Sequence, residues 1–103
     1  MEDYLNQLVE EFPSRASGED LYEYIRKQSA GLVDRSRVDF SNVMMNWLSL
    51  RSEPKTMLAV DLIGFYQLSE LKGELESLQA EVTEGRVFKP FYDKEIRKTL
   101  SLI

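Results

Sequence analysis

The sequence predicts an all-α fold of six helices, and three observations lead to this prediction. Apolar residues recur at spacings of three and four in every long segment, which is the period of an amphipathic helix. Signals typical of helix starts and ends separate these segments, and only Val87-Phe88 could form a short extended piece. Between Ser52 and Leu78, two helical segments follow each other with almost no linker, so we expect an antiparallel helical hairpin there.

The first two helices are predicted before residue 36. The first runs from Asp3 to Phe12 and ends at Pro13, because a proline ring disfavours helical geometry in the residue before it. The second opens with Ser17 as its cap, and Gly31 is its expected left-handed end. The stripe positions of the two helices are Leu5, Leu8, Val9 and Phe12, and then Leu21, Ile25, Gln28 and Leu32.

The third helix carries the widest apolar stripe, as expected for a helix that is covered on two sides. Three residues compete as its N-cap, namely Asp34, Ser36 and Asp39. Trp47 is either a core anchor or an exposed binding platform. Its register with the other apolar residues favours the core, and these residues are Phe40, Val43, Met44 and Leu48.

The last three helices each have a start signal. Ser52-Glu53-Pro54 begins the fourth, because a serine oxygen accepts free backbone N–H groups and proline tolerates the first turn. Ser69 opens the fifth helix, which ends at Thr83-Glu84-Gly85, and Asp93 caps the sixth. The apolar stripes are Leu58, Leu62 and Phe65 in the fourth helix, Leu71, Leu75, Leu78 and Val82 in the fifth, and Ile96, Leu100 and Ile103 in the sixth.

Two segments of the second half resemble HEAT-repeat proteins. The run from Asp93 to Arg97 is similar to the second helix of a HEAT repeat, and Ala59 with Leu62-Ile63-Gly64 is similar to the end of that helix in a preceding unit. The separation of Leu62 from Ile103 fits the period of roughly 40–47 residues of this class. The resemblance covers about residues 37–103. It implies a compact array of α-α hairpins in a right-handed superhelical stack, which binds partners rather than performs chemistry.

Length and composition are those of one soluble globular domain. The chain has 103 residues, of which 43% are hydrophobic and 30% charged. We expect a single helical domain over residues 1–103, with an N-terminal helical pair in 1–36 and the HEAT-like helices in 37–103. No apolar run approaches the roughly 20 residues that span a bilayer. The acidic start also lacks the pattern of a signal peptide, so we predict a cytoplasmic protein without a membrane partner.

The missing residue types restrict the chemistry. The chain has no cysteine, which excludes disulfides, thiolate metal sites and thiol nucleophiles. It has no histidine either, which removes the commonest general base and the commonest neutral metal ligand. Its five glycines are scattered and form no phosphate-binding loop. We therefore predict that the protein is not an enzyme and has no catalytic residues, no metal site and no cofactor.

Charge is unevenly distributed along the chain. Residues 1–24 contain seven acidic residues and a single base, Arg15, whereas residues 86–98 contain five bases and two acidic residues. The total of −5 argues against a nucleic-acid partner, since such modules usually carry a net basic footprint. One interpretation is that both segments are solvated helix faces. The other is that they attract each other, within one molecule or between copies.

The first functional hypothesis is a non-catalytic protein-interaction scaffold or adaptor. Self-association of this module to a homodimer is an open part of the hypothesis. The segment Gly85–Tyr92 is either an ordered loop with its rings packed inward, or a patch that holds an acidic peptide or a phosphate. At the end of the chain, Ile103 either packs back on the domain or is covered by a second copy. The candidate partner-binding residues are Trp47, Arg86, Phe88, Lys89, Phe91, Tyr92 and Ile103.

Two alternative functions remain open at the level of sequence. An acidic inhibitor or immunity-type protein would bind a basic partner through residues 1–24. A carboxylate- or tyrosine-based enzyme would have its site in residues 85–95, and it would need Tyr92, Asp93 and Glu95 to be buried and paired with charges.

Overall fold

The computed structural model describes residues 1–12 and 18–103, and within them every regular element is helical. The prediction of an all-α fold is therefore confirmed for this part of the chain. None of these helices is both long enough and apolar enough to cross a bilayer. The predicted linker Pro13–Ser17, including the Ser17 cap, lies outside the described residues. The six helices are α1 Glu2–Glu11, α2 Gly18–Arg35, α3 Arg37–Leu50, α4 Glu53–Phe65, α5 Lys72–Thr83 and α6 Asp93–Leu102.

The chain divides into two compact units, Met1–Val43 and Met44–Ile103, and the division falls inside α3. The N-terminal unit is thus longer than the helical pair expected in residues 1–36. Short 3-10 helices at Ser69–Leu71 and Pro90–Tyr92 precede α5 and α6 in the C-terminal unit.

In the N-terminal unit, α1 packs against α2. The Phe12 ring at the end of α1 stacks flat on the Tyr24 ring, with 5.2 Å between centroids and 6° between planes. Helix α2 continues through Gly31, so the prediction that Gly31 ends the helix is wrong. Its φ is not in the left-handed region. An interior glycine costs only about 1 kcal/mol relative to alanine, and the buried Val33 beyond it favours continuation of the helix.

In the C-terminal unit, α4 is the most deeply buried helix. Its residues Thr56–Val60 and 62–64 are all buried, so it has no single inward stripe. Phe65 was expected on the buried face, but it is 54% exposed. The reason is that α4 ends at Phe65, and the chain then turns through Gln67, whose φ is 52°.

The predicted antiparallel order of α4 and α5 agrees with the structure, but each of the two helices packs more closely against α6 than against the other. Helix α6 is antiparallel to α5, since Gln79 and Thr83 near the end of α5 both contact Asp93 at the start of α6. It is parallel to α4. Successive residues of α4 meet successive residues of α6 and its preceding turn, in the order Glu53 with Tyr92, Val60 with Thr99, and Gly64 with Leu102.

The close approach of α4 and α6 depends on Gly64. A Cβ at this position would lie 3.2 Å from Thr99 Oγ1 and 3.3 Å from Leu102 Cδ1, which is tighter than ordinary van der Waals contact. The same Thr99 hydroxyl donates a 3.1 Å hydrogen bond to the Val60 carbonyl. The missing side chain thus leaves the space that lets Thr99 reach the backbone of α4.

The corner between α3 and α4 is held by Arg51, which has a φ of 51°. Its guanidinium donates to both carboxylate oxygens of Glu81 on α5, at 3.2 Å and 2.6 Å, and to the Leu48 carbonyl at 2.7 Å. The hydrogen bonds from Arg51 to the Glu81 carboxylate hold the pKa of Glu81 below its usual range, against the opposing effect of burial. This corner lies directly before α4, so it sets the position of Glu53, the first residue of that helix.

Candidate functional site

Trp47 was a candidate partner-binding residue, and the structure removes it from that set. Its side chain is 0% exposed, and Met44 and Leu48 on the same helix are buried as well. Its backbone carbonyl accepts a 2.8 Å hydrogen bond from the Thr56 hydroxyl. Within the described part of the chain its indole N–H has no partner. Trp47 is a core anchor, which is the interpretation that its register favoured.

Three aromatic rings meet where the chain enters α6. The Tyr92 ring lies 4.4 Å from the Phe91 ring and 5.8 Å from the Phe88 ring, between centroids. Phe88 and Tyr92 are half-buried, whereas Phe91 is 64% exposed. One interpretation of the sequence was an ordered loop with its rings packed inward. This interpretation fits Phe88 and Tyr92 but not Phe91. The exposed Phe91 ring thus contacts a half-buried Tyr92 ring.

Tyr92 is anchored to α4. Its hydroxyl donates a hydrogen bond to the Glu53 carboxylate, 39 residues earlier in the chain. This hydrogen bond, followed by burial, raises the pKa of Tyr92 to about 12. The phenol therefore keeps its proton, and keeps donating to Glu53, up to a higher pH than an ordinary tyrosine, and this hydrogen bond restrains the Tyr92 ring that contacts Phe91.

The backbone of residues 85–92 changes direction at two residues with positive φ. Gly85 and Phe88 have φ values of 77° and 58°, in the left-handed region. Glycine adopts this conformation freely, but for a residue such as phenylalanine it costs about 1–2 kcal/mol. Strain of this kind is found preferentially at functional segments. The short helix Pro90–Tyr92 then turns the chain into α6.

Basic residues flank the three aromatic residues in the sequence. The Arg86 guanidinium is exposed and pairs with Glu84 at 2.6 Å. Lys89 and Lys94 are exposed, and within residues 1–12 and 18–103 neither of them has an ion-pair partner. We call the following set the basic–aromatic surface: Arg86, Phe88, Lys89, Phe91, Tyr92 and Lys94. Its exposed members offer an apolar ring beside two uncompensated positive charges.

Ile103 does not belong to this surface. It follows the last turn of α6, and Phe91 precedes the first. With about 1.5 Å of rise per helical residue, the two residues are separated by about the full length of the helix. Ile103 is half-buried, and the exposed apolar residues at its end of the unit are Phe65 and Leu102.

The predicted acidic segment forms a second charged surface, in the N-terminal unit. Its single base, Arg15, lies outside the described residues. Glu23 forms an i, i+4 pair with Lys27 at 3.4 Å. We call the exposed carboxylates of this segment the acidic face, and they are Asp3, Glu10, Glu11, Glu19, Asp20 and Glu23.

Two of the three residues expected at an enzyme site, Tyr92 and Asp93, are engaged in structural contacts. The Asp93 carboxylate pairs with Arg97 at 2.7 Å and lies 3.3 Å from the Gln79 amide, while Glu95 is exposed. Tyr92, with its raised pKa, is a weaker acid and a poorer source of phenolate than an ordinary tyrosine. No cluster of three acidic side chains in the described ranges could hold a metal ion.

Sequence reasoning missed two features of the site. The contact of Tyr92 with Glu53 joins residues far apart in the chain, and no local pattern signals it. The left-handed conformation of Phe88 was also unexpected, because only glycine and asparagine usually suggest it. What could be found from sequence was the local alternation of rings and bases in residues 86–94.

Comparisons of the chain with known protein families, with curated proteins and with solved structures found no match.

Proposed function

We propose that this protein is a non-catalytic interaction module, and that its basic–aromatic surface binds an acidic and partly apolar segment of a protein partner. The observation that carries the proposal is the exposed Phe91 ring, which is supported by Tyr92 while Tyr92 is fixed by Glu53. An exposed aromatic side chain held in place has little conformational entropy left to lose on binding.

The expected energetics follow from this rigidity. Burial of a phenylalanine side chain contributes roughly 1.5–3 kcal/mol through removal of apolar surface from water. Aromatic anchors dominate many interfaces, where truncation to alanine costs about 2 kcal/mol or more. Lys89 and Lys94 would add mainly to the association rate and to the choice of an acidic partner, because exposed charges contribute little to affinity.

The helix arrangement supports a HEAT-like scaffold behind this surface. In a stack of equivalent helix pairs, neighbouring equivalent helices run in the same direction. Helices α4 and α6 are parallel, with α5 antiparallel to α6, as such a stack requires. We propose on this basis that α4 and α6 are equivalent helices of successive units.

A second candidate function uses the acidic face. Its carboxylates are exposed, and α1 carries four acidic residues and no base. Such a surface would suit an inhibitor or immunity-type protein that masks a basic partner. A binding site there would leave Phe91 without a role, so substitutions of Phe91 distinguish the two functions.

The test is selection from a phage-displayed peptide library on the immobilised protein. We expect enriched peptides to combine aspartate or glutamate with an apolar residue, and to lose at least tenfold in affinity for the Phe91→Ala variant. Phe65→Ala is the matched control, because Phe65 is also an exposed phenylalanine that contacts the tyrosine after it. Equal affinity for wild type and Phe91→Ala, or no enrichment at all, would contradict the proposal.

A further inference from the structure

We infer that the acidic segment bound by the basic–aromatic surface is supplied by a second copy of this chain, through helix α1. This inference rests on the proposed function, since it names the partner of the same surface. Two observations lead to it. One is the composition of the exposed side of α1, and the other is that lysines of α6 have no ion-pair partner among the described residues.

Helix α1 has the chemistry that the basic–aromatic surface should select. Its exposed carboxylates Asp3, Glu10 and Glu11 are accompanied by Tyr4, an aromatic residue that is 45% exposed. No lysine or arginine occurs in the helix. The side of α1 that faces water is therefore acidic and partly apolar at the same time.

The recipient helix carries the complementary pattern. Lys94 and Lys98 are exposed and lie four residues apart on α6, and the exposed Phe91 lies in the short helix just before it. Within the described ranges, Lys94 and Lys98 have no ion-pair partner. Helices α1 and α6 both contain ten residues. The aromatic side chain and the carboxylates of α1 can therefore lie along the Phe91 ring and the ammonium groups of α6.

The association is expected to be weak and head-to-tail. The two surfaces differ, so each copy offers one of each and assembly proceeds as a chain or a ring. One helix face buries less than the roughly 1,200 Å² of a stable interface. The net charge of −5 opposes contact between copies at long range. At about 0.1 M salt the Debye length is near 10 Å, so this repulsion is screened while adjacent charges still attract.

The test uses charge reversal on each surface in turn. One variant carries Glu10→Lys and Glu11→Lys, at the C-terminal end of α1, and the other carries Lys89→Glu and Lys94→Glu, at the N-terminal end of α6. Glu10→Lys, Glu11→Lys and Lys94→Glu favour the helix dipole and Lys89 is exposed outside the helix, so folding should be preserved, as circular dichroism would verify. Lys72→Glu, at an exposed site on α5, is the control.

The readout is the mass from light scattering at about 100 µM protein, a concentration that detects weak complexes. Wild type and Lys72→Glu should exceed the 12.0 kDa monomer mass. Each double variant alone should be monomeric. An equimolar mixture of the two should again exceed the monomer mass, because the intact acidic face of one variant meets the intact basic–aromatic surface of the other, and the two reversed surfaces are complementary as well.

Other outcomes would overturn the inference. These are a monomeric wild type, or a mixture of variants that stays monomeric. If either double variant fails to fold, the wild-type mass is measured at about 0.5 M salt, where the interfacial attraction is screened and the mass should fall to that of the monomer. A monomeric wild type that still binds library peptides through Phe91 would refute the self-association and leave the proposed function intact.

Discussion

Replacement of Gly64 with alanine tests the close approach of α4 and α6. In an exposed helix interior this change stabilises a protein by about 1 kcal/mol through helix propensity. Here the new methyl group would lie 3.2–3.3 Å from atoms of Thr99 and Leu102. Leu102 is partly exposed and can move, but Thr99 is buried and bound to the Val60 carbonyl.

The steric term should outweigh the propensity term. Overpacking of a core contact costs about 1–3 kcal/mol, so we expect Gly64→Ala to lower the free energy of unfolding by about 1 kcal/mol. Gly73→Ala is the control in the same unit, because a Cβ at Gly73 would meet no described atom within 4 Å. That change should raise the stability by about 0.5 kcal/mol.

The assay is urea denaturation followed by the fluorescence of Trp47, which is the single tryptophan and lies in the C-terminal unit. In a Thr99→Ala background, which removes both contacting Thr99 atoms, Gly64→Ala should become neutral or stabilising. If Gly64→Ala stabilises the wild-type protein as Gly73→Ala does, the helices are not as close as described and the reasoning is refuted.

Two predictions concern pH. The Tyr92 pKa is raised to about 12, so the stabilisation that depends on its proton is complete below pH 10 and disappears as the pH rises through 12. Urea midpoints between pH 10 and 12 should therefore fall more for wild type than for Tyr92→Phe, and equal slopes would contradict the Glu53 hydrogen bond. The pKa of Glu81 is lowered, so its contribution is present above pH 4.5 and is lost as the pH falls through the lowered value. Glu81→Gln should flatten this acidic loss of stability, and an unchanged acid profile would contradict the pairing with Arg51.

The helices could be predicted because their signals are local. The start at Ser52-Glu53-Pro54 was predicted in position, although the Ser52 side chain makes no capping hydrogen bond. The predicted cap of the sixth helix is wrong by one residue, because Asp93 is the first residue of α6 and Tyr92 occupies the cap position. Gly31 was misread because its signal is also local. A glycine near the end of an apolar stripe suggests a stop, but the buried Val33 beyond it gives the helix a reason to continue.

The pairing of helices could not be predicted from local signals. A short connection between α4 and α5 suggested a hairpin, yet α6 packs against both. That choice depends on the space at Gly64 and on the Thr99 hydroxyl, which are distant in sequence. Phe65 shows the same limit, since a stripe identifies apolar residues but does not say which of them the last turn leaves exposed, whereas the register of Trp47 correctly favoured the core.

The candidate site was predictable in its composition but not in its geometry. Alternating rings and bases in residues 86–94 are visible in the sequence. The support of Phe91 by Tyr92 depends on Glu53. The long-range contact between Tyr92 and Glu53 distinguishes Phe91, an exposed ring held in place, from an ordinary loop residue.

The most direct test of the central claim is an NMR titration of the isotope-labelled protein with an acidic peptide selected from the library. We expect amide shift changes to concentrate in residues 86–98 and at Glu53, which is bound to Tyr92, and to be lost in Phe91→Ala. Changes centred instead on the acidic face, or around Phe65 and Leu102, would show that the partner binds elsewhere and would contradict the proposed function.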